Sequence, residues 1–120
     1  MQSAAEDHFE RGLALFNRGR FFECHEEWEE VWKRSSGREK SFHQGLIQAA
    51  VALLHVRRGN LRGAASIYAK ARVRLDAFSG NHRGIALDRF REDLDAFIMA
   101  ALAKAPLLRT PKIATIPRRP

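Results

Sequence analysis

Apolar residues recur at helical spacing along most of the chain and divide it into five segments. The first segment places Phe9, Leu13 and Phe16 on one face of a helix. The fifth follows the helical period most closely, with apolar residues at Leu87, Phe90, Leu94, Phe97, Ile98 and Ala101. The pattern therefore predicts an all-α chain without strands, whose helices cover about residues 3–18, 21–35, 40–57, 61–78 and 85–104.

Short polar connections join these helices, which favours a compact bundle of antiparallel neighbours. Ser3 and Glu6 have the spacing of a capping box at the first helix, and Gly19 is suited to end that helix. The segment FNRGRFFEC around Gly19 resembles the segment VRRGNLRGA around Gly59, forty residues later. This echo predicts two helix hairpins of similar design.

The chain after the fifth helix differs from the bundle in composition. Pro106 and Pro111 argue against further helix, so we expect one helical-bundle domain over residues 1–104 and an irregular tail over residues 105–120. The tail has no acidic residue, and its basic residues are Arg109, Lys112, Arg118 and Arg119. Its larger apolar residues are Leu107, Leu108, Ile113 and Ile116. Because these would be exposed on an isolated arm, the tail predicts a homodimer that covers them.

The second helix contains the densest cluster of chemically active side chains, in the stretch FFECHEEWEEVW. At about 100° per residue, His25 and Glu29 fall on one face together with aromatic side chains. A histidine and a carboxylate inside an aromatic face are costly to bury unless they are paired or bind something. His25 and Glu29 are therefore the first candidate site residues, and the candidate pocket walls are Phe22, Trp28 and Trp32.

The third helix, KSFHQGLIQAAVALLHVR, is almost entirely apolar or small, as expected of a central helix that is buried on most sides. Its interior polar residues Gln44, Gln48 and His55 lie within about 40° of one another on the helical wheel. An antiparallel hairpin between the second and third helices brings this polar line opposite His25 and Glu29. We therefore predict one constellation that joins all five side chains.

Composition restricts the class of protein. The 120 residues suit one domain, and a hydrophobic content of 45% is sufficient for a core. We expect no membrane span, because no apolar run approaches the required length of about 20 residues. We expect no secretory signal, because the N-terminus MQSAAEDHFERG has acidic residues early and no apolar h-region. The single cysteine, Cys24, excludes an intrachain disulfide and fits a cytoplasmic protein. The net charge of +7 favours anionic partners such as nucleic acid, although no RNA-binding motif or zinc finger is found.

The combined motifs resemble a known family. His25, Glu29 and Trp32 match the histidine–three residues–glutamate–two residues–tryptophan signature of the bacterial and archaeal domain of unknown function 309 family. The resemblance continues through FHQGLIQAAVALLHVRRGNLRGA and covers about residues 9–75. It implies a small all-helical bundle with no established activity, and it suggests a metal-binding role for the histidine–glutamate motif.

Two chemical functions would use the constellation directly. A histidine and a carboxylate one turn apart is a geometry of helical metal sites, and Zn, Mn or Fe would suit these ligands. His25 and Glu29 supply only two ligands, and His55 is the candidate for a third. Alternatively, Glu29 orients His25 as a general base in a pocket without metal. Cys24 is disfavoured as the nucleophile because it lies about 100° around the helix from His25.

Two further alternatives need no chemistry at the site. The chain can be a helical interaction module for a protein or nucleic-acid partner. Alternatively, His25 and Glu29 form a structural hydrogen-bond network with each other and with the two glutamines, which fixes the register of the hairpin. The remaining histidines, His8, His43 and His82, carry no motif and are expected at the surface. Enzymatic activity is left open.

Overall fold

The computed structural model describes residues 3–106 and 108–116. Five α-helices make up most of this part of the chain: α1 (Ala4–Asn17), α2 (Phe21–Lys33), α3 (Gly37–Arg57), α4 (Leu61–Leu75) and α5 (Leu87–Leu102). The all-α class and the five helices are confirmed, with boundaries a few residues from those expected. No helix within the described residues is long and apolar enough to cross a membrane.

The expectation that the chain contains no strand is wrong in one place. Two short strands, β1 (Asn81–His82) and β2 (Ile85–Ala86), pair in antiparallel fashion between α4 and α5. Arg83 and Gly84 connect them, and both have positive φ angles, 50° and 73°. Positive φ at both positions is the geometry of a tight hairpin turn. Strands of two residues are too short to show alternation in the sequence.

The turns that end α1 and α3 have the same geometry. The φ angle is +76° at Gly19 and +75° at Gly59, a conformation that glycine adopts without steric cost. In both turns the glycine N–H donates to the carbonyl three residues earlier, at 2.9 and 3.0 Å. The next N–H donates to the carbonyl five residues earlier, at 2.9 and 2.8 Å. The sequence echo therefore corresponds to a repeated helix-ending turn.

The helix α3 is the central element, and it contacts α2 along its length. At one end of α2, the ammonium group of Lys40 lies 4.2 Å from the centre of the Trp32 ring. At the other end, the guanidinium group of Arg57 lies 4.8 Å from the centre of the Phe21 ring. The start of each helix therefore meets the end of the other, which is the contact pattern of a helical hairpin.

The aromatic part of the core forms where α1 crosses α2. Trp28 is fully buried, and its ring stacks on Phe9 and Phe16 with centroid separations of 6.3 and 5.8 Å. Its indole N–H donates to the Phe9 carbonyl at 3.2 Å. A Cβ atom added at Gly12 would lie 2.1 Å from the Trp28 Nε1 atom. Only glycine therefore lets α1 approach this indole ring.

The tail returns to the bundle after the end of α5. Ile113 is 1% exposed, and Thr115 forms an antiparallel bridge with Ile85. Ile113 therefore needs no second chain to cover it, which corrects the expectation that it is exposed. Leu108 does remain 53% exposed, and Ile116 is partly buried. The other tail residues singled out from the sequence, Leu107, Arg118 and Arg119, lie outside the described residues.

Candidate functional site

The structure pairs His25 with Glu29 on the surface of α2. The Nε2 atom of His25 lies 3.1 Å from the Oε1 atom of Glu29, one helical turn away. The Nδ1 atom of the same ring lies 2.9 Å from the carbonyl oxygen of Phe22. Both ring nitrogens thus lie close to an oxygen atom of α2. Because both oxygens are acceptors, a neutral imidazole donates to one of them and a protonated imidazole to both.

The pair lies at the edge of the buried face of α2, whereas the sequence suggested that it lies inside that face. The side chains of His25 and Glu29 are 23% and 47% exposed. The residues of α2 that are buried are Phe21, Cys24, Trp28 and Val31. Along the helix, these buried residues form a row next to the row that contains His25. A helical wheel drawn from the sequence places both rows on one broad face and does not show which of them is buried.

The three aromatic residues predicted beside the pair have different environments. Trp28 belongs to the core and does not reach the surface. Trp32 is partly buried beneath Lys40. Phe22 is 46% exposed, and its ring centroid lies 5.4 Å from that of His25. Phe22 and Trp32 therefore flank the pair along one outward row of α2.

The polar residues of α3 do not bond to the pair. Gln48 is 7% exposed, and its Oε1 atom has no hydrogen-bond partner among the residues described. Gln44 and His55 are partly buried, and the Nδ1 atom of His55 lies 3.2 Å from the side-chain amide of Asn60. Of the five predicted site residues, the structure thus joins the two on α2 and leaves the three on α3 with other contacts or none.

The ligand count matters for the metal hypothesis. Within residues 3–106 and 108–116, no group of three or more histidine, cysteine, aspartate and glutamate side chains is arranged to hold a metal ion. His25 and Glu29 supply two potential ligands at 3.1 Å from each other. A metal ion at this pair would therefore have to complete its coordination shell with water or with a group from another molecule.

The lone thiol is not a nucleophile in this structure. Cys24 is fully buried, and burial raises the pKa of its thiol well above the usual range. The reactive form of cysteine is the thiolate, which burial disfavours. The structure thus agrees with the sequence in separating Cys24 from His25.

A second polar cluster, which sequence reasoning missed, connects α3 with the β-hairpin. His43 was expected at the surface, and this expectation is wrong because the side chain is fully buried. Neither ring nitrogen has a hydrogen-bond partner among the described residues. Burial, together with the nearby charge of Arg83, lowers the pKa of His43 from 6.5 to about 4. The ring is therefore neutral at physiological pH.

Glu39 connects the members of this cluster. Its Oε1 atom lies 2.6 Å from the Nε2 atom of His82, and its Oε2 atom lies 3.9 Å from the Nε2 atom of His43. Arg83 approaches the same carboxylate at 3.7 Å. The signal that could have located His43 was its position on the helix, because Leu46 and Ala50 share its face of α3 and are buried as well.

Comparisons with known proteins give a family and two relatives. A family model described as Domain of unknown function (DUF309) matches residues 9–67. An uncharacterized protein of Aquifex aeolicus (strain VF5) is 36% identical over 81 residues, which are 67% of this chain and 24% of that protein. The uncharacterized protein YpuF of Bacillus subtilis (strain 168) is 42% identical over 66 residues, which are 54% of this chain and 36% of YpuF. The matched segment is thus a minor part of each relative.

Proposed function

The chain belongs to the domain of unknown function 309 family over residues 9–67. We propose that it is a helical interaction module that binds a protein partner through the outward row of α2. This row consists of Phe22, His25, Glu29 and Trp32, and we call it the α2 face. The proposal combines two of the alternatives left open by the sequence. In this proposal the contact between His25 and Glu29, without the two glutamines, orders the surface that binds the partner.

The observation that carries this proposal is the exposed Phe22 ring beside an ordered imidazole. An aromatic side chain that is 46% exposed offers apolar area that a partner can bury. The His25 ring beside it is fixed by contacts of its two nitrogens with Phe22 and Glu29. Such a surface loses little side-chain entropy when it binds, which increases affinity for a given contact area.

The charges of α2 favour a protein over nucleic acid at this face. The helix contains five glutamates, Glu23, Glu26, Glu27, Glu29 and Glu30, which would repel a phosphate backbone. The expected partner therefore presents an apolar side chain toward Phe22 and a hydrogen-bond donor toward the half-exposed carboxylate of Glu29. The two relatives support a modular role, since the similar segment occurs in them as one part of a longer protein.

A photo-crosslinking amino acid placed at Phe22 tests this proposal in cells of the organism that carries the gene. We expect one defined crosslinked protein from position 22 and a different pattern from Met99, which is 51% exposed and lies on α5. Glu29→Gln should remove the product, whereas Glu26→Gln, the same charge change on the same helix, should not. Equal crosslinking at both positions, or a product insensitive to Glu29→Gln, would show that the α2 face is not the binding surface.

A metal ion at the same pair is the second candidate function. The specific observation in its favour is the approach of the His25 Nε2 atom and the Glu29 Oε1 atom at a solvent-accessible position. Elemental analysis of wild-type protein and of His25→Ala, purified without chelator, tests it. Near-stoichiometric zinc, manganese or iron in the wild type alone would support metal binding. Absence of metal after dialysis against these ions would leave the interaction module as the proposal.

A further inference from the structure

The tail docks on the bundle mainly through main-chain hydrogen bonds. The side-chain amide of Asn17 donates to the carbonyl of Ile113 at 2.9 Å and accepts from the N–H of Ile113 at 2.7 Å. This carboxamide therefore pairs with one tail residue in the way that a neighbouring strand would. The N–H of Ala86 donates to the carbonyl of Ala114 at 2.9 Å, and the N–H of Ile116 donates to the carbonyl of Gly84 at 2.7 Å.

One apolar side chain fixes the register of this added strand. Ile113 is 1% exposed, whereas its neighbours Lys112 and Ala114 are exposed. The alternation is that of an extended segment with one face against the bundle. The receiving groove is formed by Asn17 at the end of α1 and by the edge of β2, and we call it the strand groove. An extended segment with an apolar residue at its central position can make all the contacts that the strand groove offers.

The connection between α5 and this strand is loosely held. The described residues from Leu102 to Pro106 and from Leu108 to Thr110 are exposed. A cleft of about 700 Å³ lies between the segment 108–114 and side chains of α5 that include Arg89, Asp93 and Ala96. The tail is thus anchored by residues 111–116, and the connection before them packs little against the bundle. The connection can therefore take another path without loss of core contacts.

We propose that the strand groove binds the segment 111–116 of a second copy of this chain, so that two molecules exchange their tails. The tail of a second copy has the same sequence, and it makes the same four hydrogen bonds and buries the same isoleucine. The exchange is symmetric, because each copy donates a strand and accepts one. At low concentration docking within one chain prevails, since the attached tail has a high effective concentration at its own groove.

The position of the exposed apolar residues identifies a second copy as the occupant. Met99 and Leu102 are 51% and 36% exposed near the end of α5, and Leu108 is 53% exposed in the connection. These residues flank the stretch that would cross between the two molecules in an exchanged dimer. Because the two connections run side by side in such a dimer, they would cover these residues, which remain in solvent when the tail docks on its own chain.

Two single-cysteine variants of the full chain, Ala86→Cys and Ala114→Cys, test the exchange, and both carry Cys24→Ala so that the native thiol cannot take part. The two residues are opposite each other in this antiparallel pairing. The Cα atoms of such a pair are typically about 5.5 Å apart, which is within the range that a disulfide spans. Neither variant can close this disulfide within one molecule. The variants are mixed in denaturant, refolded together at low micromolar and at near-millimolar concentration, and oxidised in a glutathione buffer. Mass spectrometry then counts mixed and like disulfide pairs.

Tail exchange predicts that disulfides between residue 86 of one variant and residue 114 of the other exceed the number expected from random pairing by about tenfold or more. This excess should grow with protein concentration. The matched control repeats the experiment with Asn17→Ala in both variants, after circular dichroism has verified that they remain helical. The excess should disappear, because the groove has lost two of its four hydrogen bonds. A chance ratio in the parent variants would overturn the proposal. An excess that persists with Asn17→Ala would also overturn it, by assigning the contact to another surface.

Discussion

Replacing His43 by leucine should remove part of the acid sensitivity of the fold. The imidazole is fully buried against Phe9 and Phe42, and neither of its nitrogens has a hydrogen-bond partner among the described residues. Burial lowers its pKa to about 4; Arg83 adds to this effect and Glu39 opposes it. Between about pH 6.5 and pH 4 the unfolded chain therefore binds a proton at this ring that the folded protein does not.

The sign and size of the effect follow from this difference in proton binding. Stability increases with pH through this window and is lost as the pH falls, because protons favour the unfolded state. A pKa difference of about 2.5 corresponds to a loss of about 3 kcal/mol when the window has been crossed. In His43→Leu this loss should be absent. At pH 7 the variant should be as stable as the wild type or about 1 kcal/mol more stable, because it removes an unpartnered polar group.

Urea unfolding followed by circular dichroism at several values between pH 7 and pH 4 measures both proteins. The difference between their free energies of unfolding cancels the contributions of the carboxylates that they share. His55→Leu is the matched control, since it removes one histidine from a partly exposed position on the same helix. If His43→Leu and the wild type lose stability in parallel, or if His55→Leu has the same effect as His43→Leu, the assignment of acid sensitivity to the buried ring is incorrect.

Three other predictions concern the core and its neighbourhood. Gly12→Ala should lower the free energy of unfolding by about 3 kcal/mol in a urea titration, because the added methyl group overlaps the Trp28 indole ring. A loss below about 1 kcal/mol would mean that the indole moves aside readily. Cys24 should resist iodoacetamide at pH 8 in the folded protein and react after unfolding, because burial raises the pKa of the thiol. Labelling at equal rates in both states would contradict the burial of Cys24. Burial and the hydrogen bond to Asp95 raise the pKa of Tyr68 to about 12. Absorbance titration of this single tyrosine should show a lower midpoint in Asp95→Asn, and an unchanged midpoint would exclude the carboxylate as a cause.

The features that could be predicted from the sequence are those that depend on near neighbours in the chain. Ser3 accepts from the N–H of Glu6, and Gly19 ends α1, as their spacing indicates. The contact between His25 and Glu29 is local as well, because residues four apart on a helix face each other. These interactions need only the helix itself, so the pattern of the sequence is sufficient to find them.

The features that could not be predicted depend on how the helices rotate and where distant segments return. The helical wheel places Gln48 toward α2, but it does not determine whether that side chain reaches His25, and no hydrogen bond joins them among the described residues. Asn17 and Ile113 are 96 positions apart, and nothing in the sequence around either residue links the two. The composition therefore predicts an arm that dangles or packs on a neighbour. The Asn17 carboxamide, two main-chain hydrogen bonds and the buried Ile113 side chain hold it on the bundle.

The repeated turn at Gly19 and Gly59 bears on the ancestry of the fold. Each turn closes one pair of helices, α1 with α2 and α3 with α4, with the same hydrogen-bond pattern and nearly the same φ angle. Duplication of one helical hairpin gene segment would generate this arrangement of four helices. The match to the family model covers residues 9–67 and ends within the fourth helix. Such a duplication accounts for four helices, and α5 and the added strand lie outside the doubled unit.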